Sequence, residues 1–335
     1  MRVWLAKLLQ HIWYRRSLIG LLLVPVSWIY AAMLALHRAR AASRRESLMV
    51  PVVVVGNVTV GGTGKTPVVI WLVEQLRGLG YRPGIVTRGY GGNVTGKPFS
   101  VDPETSASVA GDEAVLLARR LHCPVVACAD RVAAARMLSE TANVDVIVSD
   151  DGLQHFALPA DCEIVVVDGA RGMGNGRLLP AGPLRERPRR LEHADVVLVN
   201  GPGWTHPGAL RFDLPCTAVV QLRDGLRRPL SEFSGSTVHA LAAIGNPDRF
   251  FEMLRQAGCT VDEHAWPDHA VIPIANLAFA DAAPVLITEK DAVKLPQSVP
   301  GGVWSVVVDV ELSSAAAAEM LGKIAKRIGR DTTSQ

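Results

Sequence analysis

The chain has 335 residues, enough for two hydrophobic cores, and is 49% hydrophobic and 20% charged. Its net charge of +3 is uneven: residues 1–49 hold eight Lys/Arg against Glu46 alone, a balance of +7 that leaves −4 for the rest of the chain. Positive charge set beside apolar sequence suits anionic lipid headgroups, and no basic stripe interleaved with aromatics supports nucleic-acid binding.

The five cysteines, Cys123, Cys128, Cys162, Cys216 and Cys259, are odd in number and include no C-x-x-C pair. They argue against a disulfide framework and against a zinc site, and for a reducing cytosolic environment. In residues 1–16 the apolar side chains Trp4, Leu5, Leu8, Leu9, Ile12 and Trp13 fall on one face of a helix, with the tryptophans as interfacial anchors. The stretch Ser17–Leu36 follows without a charge, twenty residues long, about the minimum that crosses a hydrocarbon core. Both flanks are basic and Pro25 interrupts the stretch, which favours a monotopic or re-entrant segment, with a single span as the second reading. A cleaved signal peptide fits poorly, because the basic leader is long and no small-residue cleavage site follows.

After Met49 the run VPVVVV reads as a buried parallel strand. It leads into Gly56-Asn57-Val58-Thr59-Val60-Gly61-Gly62-Thr63-Gly64-Lys65-Thr66 and then a helix with Pro67 in its first turn. Strand, glycine loop, Lys-Thr and helix form the context of a Walker A loop for ATP. The amides of Gly61, Gly62, Thr63 and Gly64 are expected around the phosphates, Lys65 at the β/γ-phosphates and the Thr66 hydroxyl on Mg²⁺. The strict pattern places glycine where this chain has Thr59, so the loop is a GGTGKT variant.

Further strands are expected at Gly84–Thr87, Val125–Ala127, Val144–Ser149, Glu163–Val167 and Val196–Val199, which implies a doubly wound, mostly parallel sheet with ligands at the strand ends. Asp150 and Asp151 close one such strand in the manner of a Walker B acid, and adjacent carboxylates repel unless a cation lies near them. Asp168 ends another strand before Gly169 and reads equally well as a turn residue. Asp112 opens a helix over Ala114–Leu121 and, on spacing alone, reads as an N-cap.

The motifs GNVTVGGTGKTP, RGYGG at 88–92, GDE at 111–113, ADR at 129–131, DDGLQH at 150–155, LLPAGPLRE at 178–186 and TEKDAVKL at 288–295 occur in this order. Together they closely resemble the tetraacyldisaccharide 4'-kinase family, LpxK, of lipid A biosynthesis, from the N-terminal segment to about residue 310. The resemblance implies transfer of the γ-phosphate of ATP to the 4'-hydroxyl of a tetraacylated disaccharide 1-phosphate at the cytoplasmic face of the inner membrane. It implies a catalytic Asp112 paired with His269, a residue that by itself reads as a surface or capping histidine. It gives Lys65 and Asp151 catalytic roles, places Asp150 and Glu186 with Thr66 in serving Mg²⁺ and phosphate, and puts Arg131, Gln154 and Arg185 at further positions of the ATP site.

Beyond residue 205 the pattern weakens. Strands are expected at Thr217–Leu222 and Val303–Val310, forming a two-stranded connection between lobes. A strand at His239–Ile244, a helix near Arg249–Ala257, a strand at Val285–Thr288 and a final helix at Ser313–Arg327 complete the reading. The expected layout is a membrane-associated segment over 1–48, a P-loop kinase domain over 49–215 completed by the helix 312–328, and a smaller α/β lobe over 216–310. The expected partners are the lipid substrate and a membrane surface, with no obligate protein partner. A competing class is a membrane-associated P-loop switch ATPase, which carries a lysine immediately before the paired glycines, where this chain has Val60. Another is a non-catalytic scaffold that keeps the ATP fold.

Overall fold

A computed structural model of the chain describes residues 12–14, 18–43, 46–94, 96–296 and 298–329. Most of the amphipathic pattern expected over residues 1–16, and Ser17, lie outside the described residues. The strands in chain order are β1 Val52–Gly56, β2 Pro83–Thr87, β3 Phe99–Ser100, β4 Val125–Ala127, β5 Val146–Asp150, β6 Cys162–Asp168, β7 Val196–Asn200 and β8 Leu210–Asp213. They continue with β9 Cys216–Gln221, β10 Arg227–Arg228, β11 Thr237–Ala242, β12 Thr260–Ala265, β13 Val285–Thr288, β14 Val303–Val308 and β15 Glu311–Leu312.

Two sheets result. The larger has nine strands in the order β15-β8-β7-β6-β1-β5-β2-β4-β3, and only its edge strands β3 and β15 run antiparallel. The P-loop strand β1 sits between β5 and β6, so the strands bearing Asp150 and Asp168 flank it. Every residue of β1 is buried. A strand covered on both faces needs apolar side chains on both, which is why four consecutive valines serve here, each fully buried valine contributing about 1.5–3 kcal/mol. One face packs on the helices Lys65–Gly78 and Asp112–Leu121, and Met320 and Ile324 of the last helix, Ser314–Ile328, join that core. The helix Arg131–Thr141 covers the other face through Val132, Ala135 and Leu138.

The smaller sheet has the order β10-β9-β14-β13-β11-β12. The expected pairing of the segments near 217 and 303 is present: β9 and β14 run antiparallel, Trp304 opposite Gln221. The pair is also an integral part of the six-stranded sheet, with β10 and β13 on its flanks and Val219 and Val306 in the core under it.

The N-terminal segment forms a short helix, Leu18–Leu22, and a longer one, Val24–Ala42, with Pro25 in the first turn of the second. Pro25 therefore starts a helix, where its missing N–H costs nothing. No helix among the described residues is long and apolar enough to cross a membrane. One face of Val24–Ala42 docks on the Pro/Gly-rich loop at 178–186. Ser27 Oγ donates to the Leu178 carbonyl (2.9 Å) and Tyr30 Oη to that of Arg185 (2.9 Å). Trp13 Nε1 donates to the Pro180 carbonyl at 2.9 Å. The opposite face leaves Trp28, Ile29, Met33 and Leu36 at least half exposed.

Candidate active site

The glycine loop leaves β1 and turns into the helix Lys65–Gly78 through Gly64, whose φ of 94° is left-handed. A Cβ there would also lie 2.6 Å from Asn200 Nδ2, which donates to the Thr63 carbonyl at 3.0 Å. Among the described residues, no backbone N–H from Gly61 to Thr66 donates to a protein acceptor. A row of free amides at a helix N-terminus is an anion cradle. Thr66, half-buried in the first turn of the helix, has its hydroxyl on the same end.

Opposite the loop, β5 ends in the two acids. Asp151 adopts a positive φ of 49° and meets Lys65 Nζ at 3.5 Å. Arg185 Nη1 donates to both Asp151 oxygens at 3.1 Å and to Gln154 Oε1 at 3.1 Å. Burial raises the Asp151 pKa, but Lys65 and Arg185 outweigh it and hold the carboxyl well below its ordinary value. Asp150 differs. Both its oxygens are buried without a hydrogen-bond partner among the described residues, and burial, then the charge of Glu113, pushes its pKa up to about 7 against the pull of Lys65. A partnerless carboxylate beside a phosphate loop is the donor that suits a hard divalent cation.

Glu186 is placed otherwise. It accepts from Gln154 Nε2 at 3.0 Å and meets Arg190 at 3.4 Å and Arg38 at 3.6 Å, so its oxygens already have partners. Burial raises its pKa even so. Arg131 opens the helix that Asp130 caps. Its Nη1 donates to the carbonyls of Cys128 (3.1 Å) and Ala129 (2.9 Å), while its Nε has no partner among the described residues. Burial, then Arg88, lowers its pKa, against Asp151 and Asp150.

The pair expected from 157 positions of sequence separation is formed. His269 Nδ1 lies 3.0 and 3.1 Å from the two Asp112 oxygens. Asp112 starts its helix and is buried, and Gly111, at φ 89°, sets the entry angle. His269 follows the smaller sheet's β11 in space: its N–H donates to the Ala243 carbonyl at 3.1 Å, and its φ of 62° is left-handed. Burial works against the Asp112 charge, but the His269 hydrogen bond, Lys290 and Lys294 outweigh it and lower the carboxyl pKa. The P-loop is close to the pair, since a Cβ on Gly245 would lie 2.5 Å from Gly62 N and 3.1 Å from Asp268 Oδ2, the neighbour of His269.

Several residues here were not assigned a role from sequence. Lys290 Nζ sits 3.4 Å from His269 Nε2 and 2.9 Å from Glu113 Oε1. Burial disfavours its charge, yet Glu113, Asp268 and Asp112 raise its pKa above the ordinary lysine value. Lys294 meets Asp112 at 3.9 Å and Asp291 at 2.5 Å. Both lysines lie in the TEKDAVKL motif, which marked a conspicuous segment without saying what it faces. Tyr90, from RGYGG, lays its ring 4.5 Å from that of His269. Asp168, read as a possible turn residue, does cap the turn through Ala170 N (2.9 Å), and its second oxygen accepts from Asn246 Nδ2 of the other sheet's loop at 3.2 Å.

A mostly parallel sheet whose central strand feeds a phosphate cradle, with strand-end acids beside it and a buried Asp paired with a half-buried His at its rim, defines a P-loop phosphotransferase. The family model for tetraacyldisaccharide-1-P 4'-kinase, LpxK, matches residues 19–326. The chain belongs to that family. It is 42% identical over 335 residues to a tetraacyldisaccharide 4'-kinase of Nitrosococcus oceani, covering 98% of each chain. It is 45% identical over 324 residues to that of Azotobacter vinelandii, covering 93% of this chain and 95% of the relative. Among solved structures it is similar to LpxK from Aquifex aeolicus in complex with ATP, with a TM-score of 0.76, 27% identity and coverage of 93% of this chain and 100% of the other.

Proposed function

We propose that this chain transfers the γ-phosphoryl group of ATP to the 4'-hydroxyl of tetraacyldisaccharide 1-phosphate, the step of lipid A biosynthesis that its family's name describes. The observation that carries the reading is the contact of buried Asp112 with His269 beside the phosphate loop. A sugar hydroxyl is a poor nucleophile, so a carboxylate must accept its proton as the new bond forms. Asp112 is ionised at neutral pH and is oriented by His269 and the Lys290 ammonium behind it. The free amides of Gly61–Thr66 and Lys65 hold the triphosphate, and Arg131, Gln154 and Arg185 line the site about Asp151. Mg²⁺ would be held by Asp150 and Thr66, where it supplies neutralising charge to the phosphates. The partners already held by Glu186 make it a support of Gln154 and Arg190 in this arrangement, and it reaches the ion only if they release it.

Residues 49–215 with the helix 312–328 then form the kinase lobe, and 216–310 the smaller lobe that carries His269. The exposed apolar face of Val24–Ala42, with Arg38 and Arg40 at its end, lies in the plane of the inner membrane's cytoplasmic surface. The test is one assay with γ-labelled ATP and tetraacyldisaccharide 1-phosphate in detergent micelles. Wild type moves label to lipid and Asp112→Ala does not. Label appearing only as free phosphate would turn the assignment towards a switch ATPase, and equal labelling by both proteins would remove Asp112 from the reaction.

A further inference from the structure

The smaller sheet carries a second constellation of ligating side chains that the phosphotransfer does not use. Strands β11 and β12 are parallel neighbours with His239 opposite Asp262 and Leu241 opposite His264. Residues two apart on a strand share a face, so His239, Asp262 and His264 project to the same side. His239 Nδ1 lies 3.0 Å from Asp262 Oδ2 and 3.3 Å from His264 Nε2, and His264 Nε2 lies 3.3 Å from Asp262 Oδ2. Three donors each about 2.1 Å from one ion, at tetrahedral or octahedral angles, stand roughly 3.0–3.4 Å apart. The triangle has that size.

The surroundings of His239 point the same way. The far nitrogen of His239, Nε2, is 2.8 Å from Asp281 Oδ1, and the ring is buried and stacked on Phe279 with centroids 3.5 Å apart. A carboxylate on the remote nitrogen is how proteins hold a ligating imidazole in orientation, and Asp281 stands in that place. A hollow of about 160 Å³, lined by His264, Trp266, Asn276 and Phe279, adjoins the cluster. It has room for water to complete a coordination shell.

We propose that His239, Asp262 and His264 form a binding site for a borderline divalent transition cation of the zinc type, with Asp281 as the carboxylate that positions His239. Two imidazoles and one carboxylate suit such an ion better than Mg²⁺, which prefers oxygen. The cysteine spacing had argued against zinc, but these ligands are histidine and aspartate on adjacent strands. The ion would brace β11 where it runs on to Ala243, whose carbonyl anchors His269.

The full-length chain, stripped with a chelator and held in saturating Mg²⁺ to occupy the phosphate site, is titrated with Co²⁺ and with Zn²⁺. The expected result is one Co²⁺ per chain with visible ligand-field bands, a dissociation constant below about 10 µM, and a rise in Tm on adding Zn²⁺. His264→Ala and Asp262→Asn should each weaken binding at least tenfold and lose the Tm response, while retaining lipid phosphorylation in Mg²⁺ as evidence of folding. Asp262 is more than half exposed, so its variant keeps the test open if His264→Ala does not fold. Failure of wild type to bind one equivalent overturns the proposal. So does binding that persists unchanged in both variants, and so do ¹⁵N spectra in which His239 retains both ring protons at saturating Zn²⁺.

Discussion

At the scale of single residues, neighbouring acids have been given opposite electrostatics. Asp151 is neutralised by Lys65 and Arg185, whereas Asp150 is buried with neither oxygen satisfied by any described residue and its pKa pushed up to about 7. A carboxyl whose folded pKa is raised binds its proton more tightly in the fold than in the unfolded chain. Its ionisation therefore removes stability as the pH rises from about 4 to about 7. Asp150→Asn is expected to raise the Tm of the Mg²⁺-free protein at pH 8 by about 2–4 °C, to leave it nearly unchanged at pH 4, and to abolish phosphotransfer. Calorimetry at the two pH values checks the sign. Lys290 gives a second prediction. Its ammonium helps to lower the Asp112 pKa, so Lys290→Met should move the acidic limb of the kcat/KM profile to higher pH and lower kcat about tenfold, close to 1.4 kcal/mol. A purely structural lysine would change Tm and leave the profile in place.

Among the elements, the helix Val24–Ala42 has two unlike faces. Ser27 and Tyr30 fix one to the 178–186 loop, and Trp28 and Ile29 stand out from the other, 70% and 61% exposed. Replacing both exposed residues with Glu should leave Tm within about 1 °C, because neither packs on the body. It should cut cosedimentation with anionic vesicles at least tenfold, since about 2 kcal/mol of apolar burial is lost at each position. Element by element, legibility followed burial. The valines of β1 and the GGTGKT loop announce themselves locally, because a strand buried on both faces and a phosphate turn each demand particular residues. Strand β12, Thr260–Ala265, reads TVDEHA and lies at a sheet edge, where exposure erases the apolar pattern, and it was not foreseen. The two-residue edge strands β3 and β15 are too short to carry any period. The Asp112–His269 pair had no local signature at all. Only the order of the motifs, and the family they resemble, pointed from one residue to the other.

For the molecule as a whole, the relation between the two sheets matters most. Arg120, on the helix that Asp112 begins, donates to both oxygens of Glu289 at 2.8 and 2.9 Å and also pairs with Asp309, which accepts from Thr217 Oγ1 at 2.6 Å. Burial, ahead of the opposing Arg120 charge, raises the Glu289 pKa, so removing the guanidinium would leave a half-desolvated acid without its partner. Arg120→Ala should cost roughly 2 kcal/mol, read as a lower midpoint in urea, and should depress kcat by loosening the seat of Lys290 and His269. Arg120→Lys, lacking the planar fork, should recover only part of the loss. On the other flank Arg171 donates to the Gly245 carbonyl at 3.2 Å and to Asn246 Oδ1 at 2.6 Å, holding the smaller sheet's loop against the glycines of the phosphate turn.

Because Asp112 opens a helix packed on the larger sheet and His269 sits in a loop anchored to the smaller one, the proposed proton acceptor meets its orienting partner at one relative placement of the two sheets. On the proposed mechanism, any excursion that parts them takes from Asp112 the imidazole that aims it. Economy would follow from that division: with the sheets apart, an ATP-loaded chain would lack the aligned base that transfer to any acceptor, water included, calls for.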